Sequence, residues 1–208
     1  QGLPFCSTMR NLRRTILQPY HYLLAAYALV RYGMPARKMT VIGVTGTKGK
    51  SSVSEMLYTI LMKAGHKTAL AGTIRFAIGE ESEPNRFKMT LPGRGYIQKF
   101  LARAMKKGAT FAVIEITSEA ARQYRNLGLF LDALIFTNLQ KEHLESHGSF
   151  ENYFRAKFAI GKSLARSAEL LAVRFGRQCL AGHLRNHLGK RRRIGAFVLR
   201  GNTQHRAE

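Results

Sequence analysis

The sequence predicts an α/β fold: a mostly parallel sheet with helices on both faces, incomplete at its C-terminal end. Three observations point to it. Short apolar runs alternate with helical segments from Thr40 onward, the pattern of strand–helix–strand units. Phe111-Ala-Val-Ile-Glu-Ile is almost continuously apolar, as in a strand covered on both faces. The first apolar run enters a glycine-bearing turn, after which Lys50-Ser51 opens a segment of helical periodicity.

The elements follow in order. Residues 1–39 form a basic and apolar helical leader. Tyr22 to Val30 is uncharged, with Arg10, Arg13 and Arg14 before it and Arg31, Arg37 and Lys38 after it. That run is short of the roughly 20 residues that span a bilayer. It reads as a helix ending near Gly33-Met34-Pro35 and packing on the next domain. Its alternative is an interfacial helix, with residues 10–38 meeting anionic head groups. Strands are expected over 40–44, 68–71, 110–116 and 133–137, and helices over 50–64, 94–107 and 149–166. Residues 40–167 make one nucleotide-binding domain. Residues 168–208 read as a basic tail, carrying Gly-Lys-Arg-Arg-Arg at 189–193, with one further strand conceivable at 170–175.

Composition narrows the function classes. The chain has 208 residues, 45% of them hydrophobic, which suits one packed domain with extensions and argues against wholesale disorder. The formal net charge is +22, and Asp132 is the only aspartate. Such a balance suits nucleic acid, but the basic residues are scattered instead of forming a stripe interleaved with aromatics. A protein handling anionic nucleotides accounts for it better, and no nucleic-acid partner is expected. Cys6 and Cys179 show no partner pattern, which predicts free thiols in a reducing cytoplasm.

The first chemical signal is the loop. Gly46 and Gly49 let the backbone turn its N–H groups toward phosphates, and the helix N-terminus adds attraction. Lys50 can bridge the β- and γ-phosphates, and Ser51 can reach Mg²⁺. In a parallel sheet ligands gather at the carboxyl ends of strands. Glu115 lies near one such end and Asn138 just past another, so position alone marks both.

Three further stretches sharpen this: Glu115-Ile-Thr-Ser-Glu119, Thr137-Asn-Leu-Gln-Lys-Glu-His-Leu-Glu-Ser-His-Gly148 and Glu151-Asn-Tyr-Phe-Arg-Ala-Lys157. With the loop, they resemble the central ATP-binding domain of the Mur ligases over about residues 40–166, most nearly the tripeptide synthetases. The resemblance implies ATP contact by Gly46, Thr47, Lys48, Gly49, Lys50, Ser51 and Ser52, with adenine held by Asn138. It implies Mg²⁺ ligation by Ser51 and Glu115, and a second magnesium site at His143. Lys157 matches a lysine that CO₂ carbamylates in this family. An unmodified ammonium about 4 Å from one unit of metal charge would cost roughly 4 kcal/mol at an effective dielectric near 20. Catalytic roles accordingly fall to Lys50, His143 and Lys157.

Thr90, Ser118, Gln123 and Arg125 resemble positions that grip the muramoyl-peptide substrate, Arg125 being the best anion anchor. Met89 and Leu91 depart from the family's Thr-Thr-Pro segment, and Glu119 stands where the family usually has histidine. The implied reaction is ATP-dependent amide ligation between a UDP-muramoyl-peptide and an amino acid. The resemblance shows neither the usual first domain nor a C-terminal one, so the chain reads as truncated or frameshifted past Ser167.

Overall fold

A computed structural model describes residues 5–87, 89–93, 95–122, 125–138, 160, 164–174 and 194–198. Helix α1 (Phe5–Tyr32) leads through a 3₁₀ turn (Pro35–Lys38) to β1 (Thr40–Thr45) and α2 (Lys50–Lys63). Then come β2 (Thr68–Ala71), β3 (Arg75–Ile78), β4 (Glu81–Pro84), α3 (Tyr96–Lys106) and β5 (Phe111–Glu115). Helix α4 (Ser118–Arg122), β6 (Leu131–Phe136), β7 (Leu164–Arg174) and β8 (Ile194–Val198) complete the described chain. The strands form one sheet in the order β4-β3-β2-β5-β1-β6-β7-β8. Pairing is parallel from β2 through β8, and only the β2–β3 and β3–β4 contacts are antiparallel.

The continuous apolarity of the central strands is resolved by their pleat. Ala112 and Ile114 of β5 enter one core with Ala69, Ala71, Leu101 and Ala104, while Val113 enters the other with Leu70, Val44 and Tyr58. Successive side chains of a strand point to opposite faces, so a strand between two helical layers needs apolar residues at every position. Helix α2 covers the second core and α3 the first. Each fully buried Leu or Ile contributes about 1.5–3 kcal/mol over its exposed state, and both cores hold the sheet that positions the loops.

The register decides which loops meet. Thr45 lies opposite Phe136, and Val44 opposite Glu115. Residues 46–49 therefore leave β1 beside Thr137 and Asn138. Ala71 pairs with Ile114, so Gly72-Thr73 emerges beside Glu115. At the opposite end the sole aspartate is structural: Asp132 Oδ2 accepts the Val41 N–H at 2.7 Å.

Differences from the expected elements have local causes. Helix α3 begins at Tyr96, after the expected 94, because Gly95 takes φ +75° as its N-cap. The expected helix over 149–166 overruns β7, whose first residues are Leu164, Ala165 and Arg166; residues 149–159 and 161–163 lie outside the described residues. Strand β8, Ile194-Gly-Ala-Phe-Val, was not expected. Its five residues sit between Arg191-Arg-Arg193 and Arg200 in the sequence, and that charge masks a short apolar run. The β3–β4 hairpin was missed because β4 is exposed at all four residues and carries two glutamates, as suits a sheet edge.

Helix α1 ends where the sequence placed it. Gly33 at φ +65° and Met34 at φ +49° turn the chain into the 3₁₀ segment. Ala28 is buried against Gly95, whereas Leu23, Tyr27 and Val30 are exposed. Among the described residues no helix is long and apolar enough to cross a membrane.

Candidate phosphate-binding site and acceptor cavity

The loop between β1 and α2 is held shut by the end of β6. Thr137 Oγ1 donates to the Lys48 carbonyl at 2.7 Å, and Asn138 Nδ2 donates to the same oxygen at 2.9 Å. Asn138 Oδ1 accepts from the Thr47 N–H at 3.1 Å and the Lys48 N–H at 2.9 Å. Such contact leaves no room for a side chain: a Cβ at Gly46 would lie 2.0 Å from Thr137 Oγ1. Gly49 caps α2 at φ +77° without a side-chain cap, so the helix N-terminus faces the loop. Lys50 Nζ donates to the carbonyls of Gly46 at 3.1 Å and Thr47 at 3.0 Å. The ammonium is thus placed along the loop that its sequence position assigns to phosphate.

Beside it lies an oxygen cluster. Glu115 is 1% exposed, and its Oε2 accepts from Ser51 Oγ at 3.3 Å and Thr73 Oγ1 at 2.6 Å. Thr73 Oγ1 also lies 3.0 Å from Thr90 Oγ1. A buried carboxylate is costly unless it is partnered; here the hydroxyls of Ser51 and Thr73 partner it. Hydroxyl and carboxylate oxygens are the donors a hard divalent cation takes, so Ser51 and Glu115 fit Mg²⁺. Among the described residues no group of three or more His, Cys, Asp or Glu side chains forms a ready metal cage, so phosphate or water oxygens would complete such a site.

The segment 89–93 joins this cluster to a second region. Thr90 faces Thr73, while its neighbours bind Arg125: Nη1 donates to the Leu91 carbonyl at 2.9 Å and lies 3.1 Å from Met89 Sδ. Burial pulls the Arg125 guanidinium below the usual arginine range, and the exposed Glu119 carboxylate opposes that shift. Arg125 borders a cavity of about 360 Å³, together with Pro92, Gln98 and Leu127, and with His21 and Ala25 of α1.

The predicted residues therefore divide into groups. Gly46, Thr47, Lys48, Gly49, Lys50, Ser51, Glu115 and Asn138 converge at the carboxyl ends of β1, β5 and β6. Ser52 is exposed in the first turn of α2, and Ser118 opens α4. The resemblance implies adenine recognition by Asn138; in this structure both ends of its amide engage the loop backbone. Gln123, His143 and Lys157 lie outside the described residues. Sequence reasoning missed Thr73, His21 and Gln98. Thr73 follows β2 directly, so the carboxyl-end rule that marked Glu115 and Asn138 would also have marked it.

Comparison with known proteins agrees with this arrangement. A UDP-N-acetylmuramoyl-L-alanyl-D-glutamate--2,6-diaminopimelate ligase from Phocaeicola vulgatus is 34% identical over 166 residues, covering 76% of this chain and 34% of that protein. A solved structure of a UDP-N-acetylmuramoyl-L-alanyl-D-glutamate--2,6-diaminopimelate ligase superposes with a TM-score of 0.65 at 26% identity, over 79% of this chain and 33% of that one. The MurF ligase from Thermotoga maritima, solved in complex with ADP, shares the fold at TM-score 0.59 and 22% identity, over 87% of this chain and 37% of that one. The chain thus spans about a third of the length of the relatives it matches. The family model for the Mur ligase middle domain matches residues 44–193, and the chain belongs to that family.

Proposed function

We propose that this chain binds Mg·ATP and activates a peptide carboxylate for amide ligation in cytoplasmic peptidoglycan-precursor synthesis. The observation that carries it is the meeting of Ser51 Oγ and buried Glu115 at 3.3 Å, beside a loop that Lys50 lines. The ADP complex of the MurF ligase of like fold supports nucleotide use, and the diaminopimelate ligase supports a UDP-muramoyl-peptide and an amino acid as its substrates.

In this reading the γ-phosphoryl group passes from ATP to a carboxylate oxygen, with ADP leaving. An amine then attacks the acyl carbon, a C–N bond forms, and inorganic phosphate departs with the amine proton released. Lys50 would leave the Gly46 and Thr47 carbonyls to lie along the triphosphate, and the loop N–H groups would donate to its oxygens. Bound magnesium would neutralise charge on the transferring group. Glu115 and Ser51 would orient that ion, Thr73 would fix the carboxylate, and Arg125 would anchor an acceptor anion. His143 and Lys157 keep the second-metal and carbamate roles that the resemblance implies, and Gln123, Ser118 and Thr90 the acceptor contacts.

The test is Mg²⁺-dependent phosphate release from ATP by the full chain, with and without UDP-N-acetylmuramoyl-L-alanyl-D-glutamate and diaminopimelate. Release that requires all three supports ligation. A second reading, nucleotide binding without ligation, needs only the loop, Lys50, Ser51 and Glu115, which the structure brings together. Mg·ATP uptake without phosphate release would favour it.

A further inference from the structure

Helix α1 precedes the region that the family model matches, residues 44–193, yet it forms part of the cavity wall beside Arg125. Its position is set by close packing. A Cβ on Gly95 would lie 2.5 Å from the Ala28 Cβ, and one on Gly128 would lie 2.0 Å from Leu29 Cδ2. Two glycines thus let α1 sit flush on the loops before α3 and before β6. That seating brings His21 and Ala25, one helical turn apart, to the cavity.

The lining has a definite chemistry. Among the described residues its ionisable side chains are His21 and Arg125, both basic, and the rest is largely apolar. Gln98, 2% exposed, donates from Nε2 to the Leu127 carbonyl at 3.0 Å, while its Oε1 is buried with no partner among the described residues. A buried acceptor without a donor is costly. A ligand carrying an N–H next to a carboxylate would answer both features, and a peptide terminus has that arrangement.

We propose that α1 is a wall of the acceptor site and that His21, with Arg125, takes the carboxylate of a bound acyl-peptide. This rests on the ligase reading above and extends it to a residue outside the family-matched region. His21 is a specificity residue here; Arg125 is the fixed anchor and His21 the second contact, from the α1 wall of the same cavity.

Calorimetry on the full chain tests it, with UDP-N-acetylmuramoyl-L-alanyl-D-glutamate, UDP-N-acetylglucosamine and Mg·ATP as separate titrants. His21→Leu removes the polar ring at similar volume, and Ala25→Trp fills the cavity from the same helix face. Both should weaken the muramoyl-dipeptide by about tenfold or more, while Mg·ATP affinity stays within about twofold. Unchanged Mg·ATP binding also shows that the variants fold. Muramoyl-dipeptide binding within about twofold of the parent in both variants would overturn the inference. A parent chain that takes Mg·ATP but no muramoyl-dipeptide would overturn it while leaving nucleotide binding intact; failure of both titrants removes both readings. Equal weakening of UDP-N-acetylglucosamine, which has a diphosphate but no carboxylate, would overturn the carboxylate assignment.

Discussion

Asn138 shows how one side chain can set the state of a loop. Its Oδ1 accepts two consecutive N–H groups and its Nδ2 returns to a carbonyl of the same loop. That oxygen occupies donors that the sequence assigns to phosphate. Asn138→Ala should therefore lower stability by about 1–3 kcal/mol in urea denaturation, because the loop loses partners. Asn138→Asp keeps the acceptor but places a full negative charge where a triphosphate must come. It should cost less stability than the alanine variant, yet weaken Mg·ATP by more than about tenfold; parent-like nucleotide affinity in the aspartate variant would count against the phosphate position. At this scale the sequence was legible where a residue type and a strand end coincide, as at Lys50, Ser51 and Glu115. It was silent where function depends on reach. His21 looks like any histidine in a basic leader until α1 is laid on Gly95 and Gly128.

The β3–β4 hairpin is pinned to α2 by contacts that the sequence hides. Arg75 forks onto Glu55, with Nη2 at 2.7 Å from Oε2, and stacks over the Tyr58 ring. The Tyr58 hydroxyl donates to the Gly79 carbonyl in the hairpin turn. Burial is the main cause that raises the Tyr58 pKa above 10.0; Arg75 opposes it, and Glu55 and Glu80 reinforce it. A raised folded pKa means that the fold favours the neutral phenol. Its contribution is then complete below the unfolded pKa and is lost as pH rises through the folded value. Tyr58→Phe should cost about 0.5–1.5 kcal/mol near neutrality, and its urea midpoint should fall less steeply than the parent's above pH 10.0. Parallel curves through the alkaline range would show that Tyr58 is not the group responsible. Elements with a clear period, such as β1, α2 and β2, were readable. The hairpin and β8 were not, because an exposed edge lacks alternation and a five-residue strand flanked by arginines lacks contrast.

Across the whole molecule, the parallel sheet explains why residues distant in sequence form one site. Residues following β1, β2, β5 and β6 share one edge, and the register places Thr73, Glu115 and Asn138 beside the loop before α2. The strongly basic chain, +22 overall, gives a field that attracts a tetra-anionic nucleotide and its metal. Fold class and the meeting of the loop with Glu115 and Asn138 were thus open to sequence reasoning, while the cavity beside Arg125 was not. Among the described residues it is assembled from α1, Met89, Pro92 and Gly93, the start of α3, Arg125 and Leu127, a juxtaposition that only packing creates. The central claim is that a triphosphate and a divalent cation meet between Lys50 and Glu115. Isothermal titration of Mg·ATP into the folded chain, beside Lys50→Ala and Glu115→Gln, measures this most directly. Saturable uptake that requires Mg²⁺ and falls by at least about tenfold in both variants is the predicted result. Absence of Mg·ATP binding, or binding that neither substitution alters, would contradict it.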